Sequence, residues 1–346
     1  MEELSEASWN KEWYKYTPIH KLLPHSASWP HNSTNESSYT RTDSILEPFV
    51  KHKDLFADPF LDFTISSLSI HKPIEILKNE KIQDNPVKLN TLSTEDIAHF
   101  ILKPRASDSF FHISQEFIHA WPTITNLYLK TDPIQKAEIC LDIDSLEEVV
   151  GTLNFLVLQS EKSQVKVNIL MRGKGLVRCS LYSVLNGVEA KLDVRTLILS
   201  SGKSHQDFHS VILHEKPSAI SREIVRILGF DKSVSAFGGK IFVAPHAQKT
   251  DAYQSSKSTL YSEEARVYAR PFLEIYADDV RCSHGCTSGV LDQLNHFYLR
   301  SRGIPDKTAR KLLAMAFARS CFEHPEETFL NHPFYKIIDK KLEKCI

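Results

Sequence analysis

EAKLDVRTLILSS, residues 189–201, is the stretch whose reading decides the fold class. It is a short run rich in Val, Leu, Ile and Thr, which suits a pleated strand better than a helix. Similar pieces recur on both sides: EICLDI (138–143), VKVNILMRG (165–173), LVRCSLYSVL (176–185), SVILHE (210–215), KIFVAP (240–245), ARVYARP (265–271) and FLEIYADDV (272–280). Helical spacing is sustained in this region only near SAISREIVRIL (218–228). A succession of short strands is compatible with a stacked solenoid. There each coil buries its inward side chains on its neighbours, and its backbone bonds the coils above and below. No strict period is visible, so the residues alone establish a β-rich chain and leave the solenoid as one arrangement of it.

The pattern changes at both ends. Residues 1–90 are polar, rich in Ser, Asn, His and Pro, with apolar islands such as LFADPFLDFTI (55–65). This reads as a partly irregular region with some helix near its start. The segment IAHFILKPRASDSFFHISQEFIHAWPTITNLYLK (97–130) shifts towards strand. After Gly289 the pattern becomes helical. Gly303-Ile304-Pro305 breaks the chain, and Pro305 fits the first turn of a new helix. Ala309, Leu312, Leu313, Ala316, Phe317 and Ser320 then share one helical face, His324-Pro325 ends the helix, and Phe334, Ile337, Ile338 and Leu342 form another stripe. Such helices either cap the open end of a solenoid or dock a partner, and opposite faces can do both. The expected division is an N-terminal region 1–95, a β core 96–289 and a helical segment 290–346.

The chain has 346 residues, with 42 Lys+Arg against 43 Asp+Glu and a net charge of −1. That balance gives no broad surface for nucleic acid. No apolar run approaches the ~20 residues of a membrane span, and MEELSEASWNKEW lacks the basic and apolar segments of a signal peptide. A cytoplasmic location without membrane contact is expected. The six cysteines, at 140, 179, 282, 286, 321 and 345, show no disulfide-framework spacing and read as free thiols.

Chemistry concentrates in PFLEIYADDVRCSHGCTSG (271–289), where Cys282, His284 and Cys286 alternate behind a strand-like run. Alternate residues of a strand share a face, roughly 6.6 Å apart. Thiolate and imidazole suit zinc, copper and iron–sulfur chemistry. Three residues do not complete a four-ligand site, so a metal held here needs a ligand from elsewhere, such as another chain. The competing reading is ordinary packing of small soft residues. Three other motifs carry less. Ser201-Gly202-Lys203-Ser204 ends like a P-loop, but Leu197 stands where that motif needs glycine, so no nucleotide binding or ATP hydrolysis by this chain is expected. His205 and His209, four apart on a strand, lie about 13 Å from each other, too far to share an ion. Asp278 and Asp279 are adjacent and read as solvated charges at a corner.

Between Phe237 and Phe317 the stretches AQKTDAYQ (247–254), LEIYADDVRCSHG (273–285) and FYLRSRGI (297–304) resemble the SufB/SufD family of iron–sulfur cluster assembly proteins, SufD more closely than SufB. HSVILHEKPSAISREI (209–224) and NKEWYKYTPI (10–19) extend the likeness. The resemblance implies a right-handed parallel β-helix and a non-catalytic scaffold subunit. It implies a heterodimer with a SufB-like subunit, joined edge to edge, with a homodimer as the form of the isolated chain. It further implies a SufC-like ATPase docked on the C-terminal helices through Phe297, Tyr298, Arg302, Gly303, Leu312, Leu313 and Phe317. His284 matches the family's nascent-cluster ligand at the subunit interface, and Cys282 matches the interfacial cysteine beside it. Cys286 departs from the family's alanine and is either an incidental small residue or an extra thiol ligand. The cluster is then transient and shared with the partner; flavin is left open. A different class, a β-helix enzyme or binding protein acting on polysaccharide, would need clustered carboxylates or basic residues along one solenoid face.

Overall fold

A computed structural model describes residues 43–52, 73–77, 86–89, 97–104, 107–119, 122–322 and 333–346. NKEWYKYTPI, the LFADPFLDFTI island and the helix stop at His324-Pro325 lie outside the described residues. The strands are β1 (Ile74–Leu77), β2 (Val87–Lys88), β3 (Ile97–Lys103), β4 (Asp108–Phe117), β5 (Thr123–Lys130), β6 (Lys136–Ser145), β7 (Val150–Gln159), β8 (Gln164–Gly173), β9 (Leu176–Leu185), β10 (Lys191–Ser200), β11 (His205–His214), β12 (Ile220–Gly229), β13 (Val234–Val243), β14 (Asp251–Leu260), β15 (Arg266–Ile275) and β16 (Arg281–Val290). The described helices are α1 (Asp43–Lys51), α2 (Gln293–Ser301), α3 (Asp306–Phe322) and α4 (Tyr335–Cys345). Odd-numbered strands form one eight-stranded sheet and even-numbered strands another, in sequence order, and the pairings are parallel. Each coil therefore gives one strand to each sheet. The fold is a parallel β-helix, and the solenoid compatible with the sequence is the arrangement adopted.

Register explains why no period is visible. Lys136, Gln164, Lys191, Ile220, Asp251 and Arg281 stack above one another, at spacings of 28, 27, 29, 31 and 30 residues. Strands keep their length while corners gain or lose residues. Many corners turn through a residue with left-handed backbone, including Ile134, Glu148, Lys162, Glu189, Ser218, Asp231 and Lys249. At Gly202 (φ 66°) the amide donates to Asp231 Oδ2 at 2.7 Å, so SGKS is a corner followed by β11 and not a phosphate loop.

Side chains in register project to the same side of a sheet, which gives the bore of the helix as continuous columns. Ile139, Val167 and Val194 form one such column, and each is fully buried. Phe208 and Phe237 stack at 5.9 Å in another. Each such side chain contributes about 1.5–3 kcal/mol when removed from water. The outer faces are buried as well. Leu46 and Phe49 of α1 cover Tyr128, Leu156, Tyr182 and Val211 of the odd sheet. α3 and α4 cover Leu170, Leu197, Leu199 and Leu228 of the even sheet.

Two expectations are corrected here. SAISREIVRIL is strand: Ile220–Gly229 pairs with both β10 and β14. α3 and α4 do not cap the open end; they lie along the outer face of the even sheet. Arg195 Nη1 donates to the Cys321 carbonyl at 3.2 Å, and Arg226 Nε donates to Ser320 Oγ at 3.3 Å, which ties α3 to β10 and β12. The face of α3 that meets the sheet is Ala314, Ala318, Cys321 and Phe322, whereas Leu312 and Ala316 of the expected stripe are exposed. Small residues let the helix approach the strands closely. The second stripe is borne out at Phe334, Ile338 and Leu342, all fully buried.

Candidate functional site at the open coil

The helix ends at β15 and β16, each hydrogen-bonded to a strand on one side only. An unfinished coil leaves backbone N–H and C=O groups facing outward along both strands. Nine of the ten residues of β16 are exposed, and only Cys282 is half-buried. On the outward side, the space where side chains of Gly285 and Gly289 would stand is empty to 4 Å. Among the described residues the terminal strand is thus exposed and its outer face is open at both glycines.

β16 carries the sequence-predicted ligands. Cys282 is in register with Ala252 and Ser221, His284 with Gln254 and Glu223, and Cys286 with Ser256 and Val225. All six of those underlying residues are buried. Cys282, His284 and Cys286 therefore point along the same inward columns, at the mouth of the bore. Cys282 packs against the core, while His284 and Cys286 meet solvent. Burial raises the thiol pKa of Cys282, partly countered by a backbone hydrogen bond from Ala252, and burial raises that of Cys286. The shift favours the protonated thiol in both, and a metal bound there would displace the proton. Among the described residues no three His, Cys, Asp or Glu side chains converge as a metal centre, in keeping with the wide spacing along one strand.

Beneath this mouth the bore turns polar. Val194 is followed by Glu223, Gln254 and then His284 in one column. Gln254 Nε2 donates to Glu223 Oε2 at 2.6 Å, and both residues are fully buried. Burial raises the Glu223 pKa, with the Ser210 hydroxyl and the Gln254 amide acting against it. Gly239 leaves the room this amide needs, since a Cβ there would collide with Gln254 Nε2. Gln254 Oε1, Ser256 Oγ and Ser258 Oγ are buried without hydrogen-bond partners among the described residues. Glu223 and Gln254 lie in stretches that carry the family likeness, but nothing local marks them as a pair. Only the stacking of Glu223, Gln254 and His284 at coil spacing, 31 and 30 residues apart, brings them together.

The other weighed residues fall where their corners put them. Asp278 and Asp279 are exposed at the last corner, and the Asp279 carbonyl accepts from the Lys249 amide at 2.6 Å. His209 is buried in β11. Directly after β16, Asp292 caps α2 by accepting from the Leu294 and Asn295 amides at 3.0 and 3.1 Å. α2 buries none of its residues; Leu294, Phe297 and Tyr298 are 77, 70 and 56% exposed. Arg302 lies over the Tyr298 ring at 5.3 Å. Leu312 of α3 is exposed as well, while Leu313 and Phe317 are half-buried.

The last strand of this parallel β-helix thus presents thiol and imidazole at an open edge. Residues 144–317, half of the chain, match the family described as "SUF system FeS cluster assembly, SufBD core domain". The chain belongs to this SufB/SufD family and is most like SufD. It is 35% identical over 170 residues to the iron-sulfur cluster assembly protein SufD of Escherichia coli, which takes in 49% of this chain and 40% of that protein. An iron-sulfur cluster assembly SufBD family protein of Synechocystis is 33% identical over 162 residues, covering 47% of this chain and 36% of the relative. SufD of Bacillus subtilis is 31% identical over 125 residues, or 29% of its length. Less than half the length of each of these relatives is thus represented in the match. Among the described residues no helix is long and apolar enough to cross a membrane.

Proposed function

We propose that this chain is a non-catalytic, cytoplasmic scaffold subunit in SUF-type iron–sulfur cluster assembly, and that the cluster is its cargo, held briefly at the open coil. The observation that carries the reading is the terminal strand β16, exposed along its length, with Cys282 and His284 on one inward face. His284 and Cys282 serve as ligands from this chain, and a SufB-like subunit adds its own edge strand and a cysteine to complete four ligands. Strand addition fits an edge with unpaired backbone groups and small outward residues. Joining the two bores also removes solvent and oxidants from the site. Cys286 contributes an additional thiol or none, and its exposure at the mouth is compatible with either.

The helical segment 290–346 docks a SufC-like ATPase. Phe297, Tyr298, Arg302, Gly303, Leu312, Leu313 and Phe317 lie on or beside the exposed apolar surface of α2 and α3, and such a patch is the kind of surface that marks a protein partner. α2 follows β16 within two residues, so a movement of the docked ATPase reaches the cluster edge directly. The test is coexpression with SufB-like and SufC-like chains. A three-component complex that loses only the ATPase when 290–346 is removed supports the reading, whereas ATPase binding retained by the truncated chain places docking elsewhere.

A further inference from the structure

We propose that Glu223 and Gln254 are a positioning pair that fixes the tautomer and direction of His284 from inside the bore; this rests on the reading of His284 as a cluster ligand. Gln254 has one amide group with two distinct ends. Its Nε2 is engaged by Glu223 Oε2 at 2.6 Å. Its Oε1 is fully buried and has no partner among the described residues. A buried acceptor left unpaired costs about 1–3 kcal/mol, so the site is arranged to receive a donor. The residue next in register on the open side is His284, on the same inward face, one strand spacing of ~4.8 Å away.

The imidazole is the donor that fits. With Nδ1–H directed to Gln254 Oε1, the Nε2 lone pair faces out of the mouth, where iron would be bound. Ligating histidines are commonly fixed through their second nitrogen in this way. Glu223 acts one step further in. As acceptor for Nε2 it settles which end of the amide faces His284; with that acceptor removed, the amide can turn and offer NH₂ to the ring, selecting the opposite tautomer. Gly239 is part of the same device, since any larger residue would occupy the amide's place. Three groups buried at successive depths therefore set one lone pair at the surface.

The experiment reads the ring nitrogens of the free, full-length chain labelled with ¹⁵N-histidine, above pH about 8 where a free imidazole is neutral. Spectra of wild type and His284→Gln identify the His284 signals. The Nδ1–H tautomer is expected in wild type and in Glu223→Gln, which keeps an acceptor. A shift to the Nε2–H tautomer is expected in Gln254→Leu and Glu223→Leu. If Gln254→Leu does not fold, Glu223→Leu gives the answer, since it leaves the amide in place. A wild-type tautomer in either folded leucine variant, or an Nε2–H tautomer in wild type, overturns the proposal. The spectrum needs no cluster, so it decides the positioning pair separately from whether His284 holds one.

Discussion

Replacing Phe334 by alanine tests how the C-terminal helices are held. Phe334 is fully buried between α4 and the even sheet, 5.6 Å from the Phe322 ring and 6.3 Å from His112. Truncating a buried phenylalanine costs about 3–5 kcal/mol from lost transfer energy and the cavity left behind. The cavity would lie between two separable bodies, the helices and the coils. The cost should therefore fall on docking of α3 and α4 and spare the β-helix. At 1.4 kcal/mol per decade, the open population of the helices rises by on the order of 10²–10⁴. Hydrogen exchange followed by mass spectrometry reads this directly, because local opening sets protection. Peptides from α3 and α4 should lose protection by that factor while those from β8 and β10 keep theirs. Equal loss along both strands would show that helices and coils unfold as one unit and refute the reasoning. So would unchanged protection of α4.

Leu312→Asp changes a side chain that is 47% exposed, so the melting temperature should hold within what about 0.5 kcal/mol moves, while copurification with a SufC-like ATPase should drop at least tenfold. Retained copurification would remove Leu312 from the docking surface. His214 is fully buried, its Nε2 2.9 Å from Ser221 Oγ, and burial lowers its pKa from 6.5 to about 3. The unfolded chain therefore takes up a proton that the folded chain refuses, so stability is full above pH 6.5 and falls towards pH 3, by up to about 1.4 kcal/mol per unit. Melting temperatures against pH should fall less steeply in His214→Gln; identical slopes would contradict this. Thiol labelling of the native chain should modify Cys286 before Cys282 and spare Cys321, whose thiol is buried and pushed up to about 12. Early labelling of Cys321 would mean that α3 does not stay on the sheet.

Much of the fold was legible, and the failures have physical causes. EAKLDVRTLILSS and its companions read as strands because β-branched and apolar residues recur in short runs. The coil period stayed hidden because corner length varies while strand length does not. Residues 220–228 read as helix because β12 is buried on both faces: Val225 and Ile227 face the bore, while Ile224 and Leu228 lie under α3. Burial on both sides erases alternation and leaves apolar pairs at helix-like spacing. The stripe on α3 was misplaced for a related reason. Its sheet-facing side is alanine and cysteine up to Phe322, and the larger residues that dominate a hydrophobicity pattern partly face out. Cys282, His284 and Cys286 stood out because three soft side chains alternate within five residues. Glu223 and Gln254 did not, because their relation to His284 exists only once coils are stacked.

The most direct test of the central reading is the iron and acid-labile sulfide content of the complex coexpressed with SufB-like and SufC-like chains, carrying His284→Ala. His284 is exposed on the last strand, so its truncation should cost no more than the about 1–3 kcal/mol of leaving Gln254 Oε1 unpaired, and complex yield should match wild type. Cluster content should fall severely, with Cys282→Ser intermediate and Cys286→Ala near wild type if that thiol is incidental. Wild-type cluster content in an intact His284→Ala complex would contradict the assignment of the open coil as the cluster site.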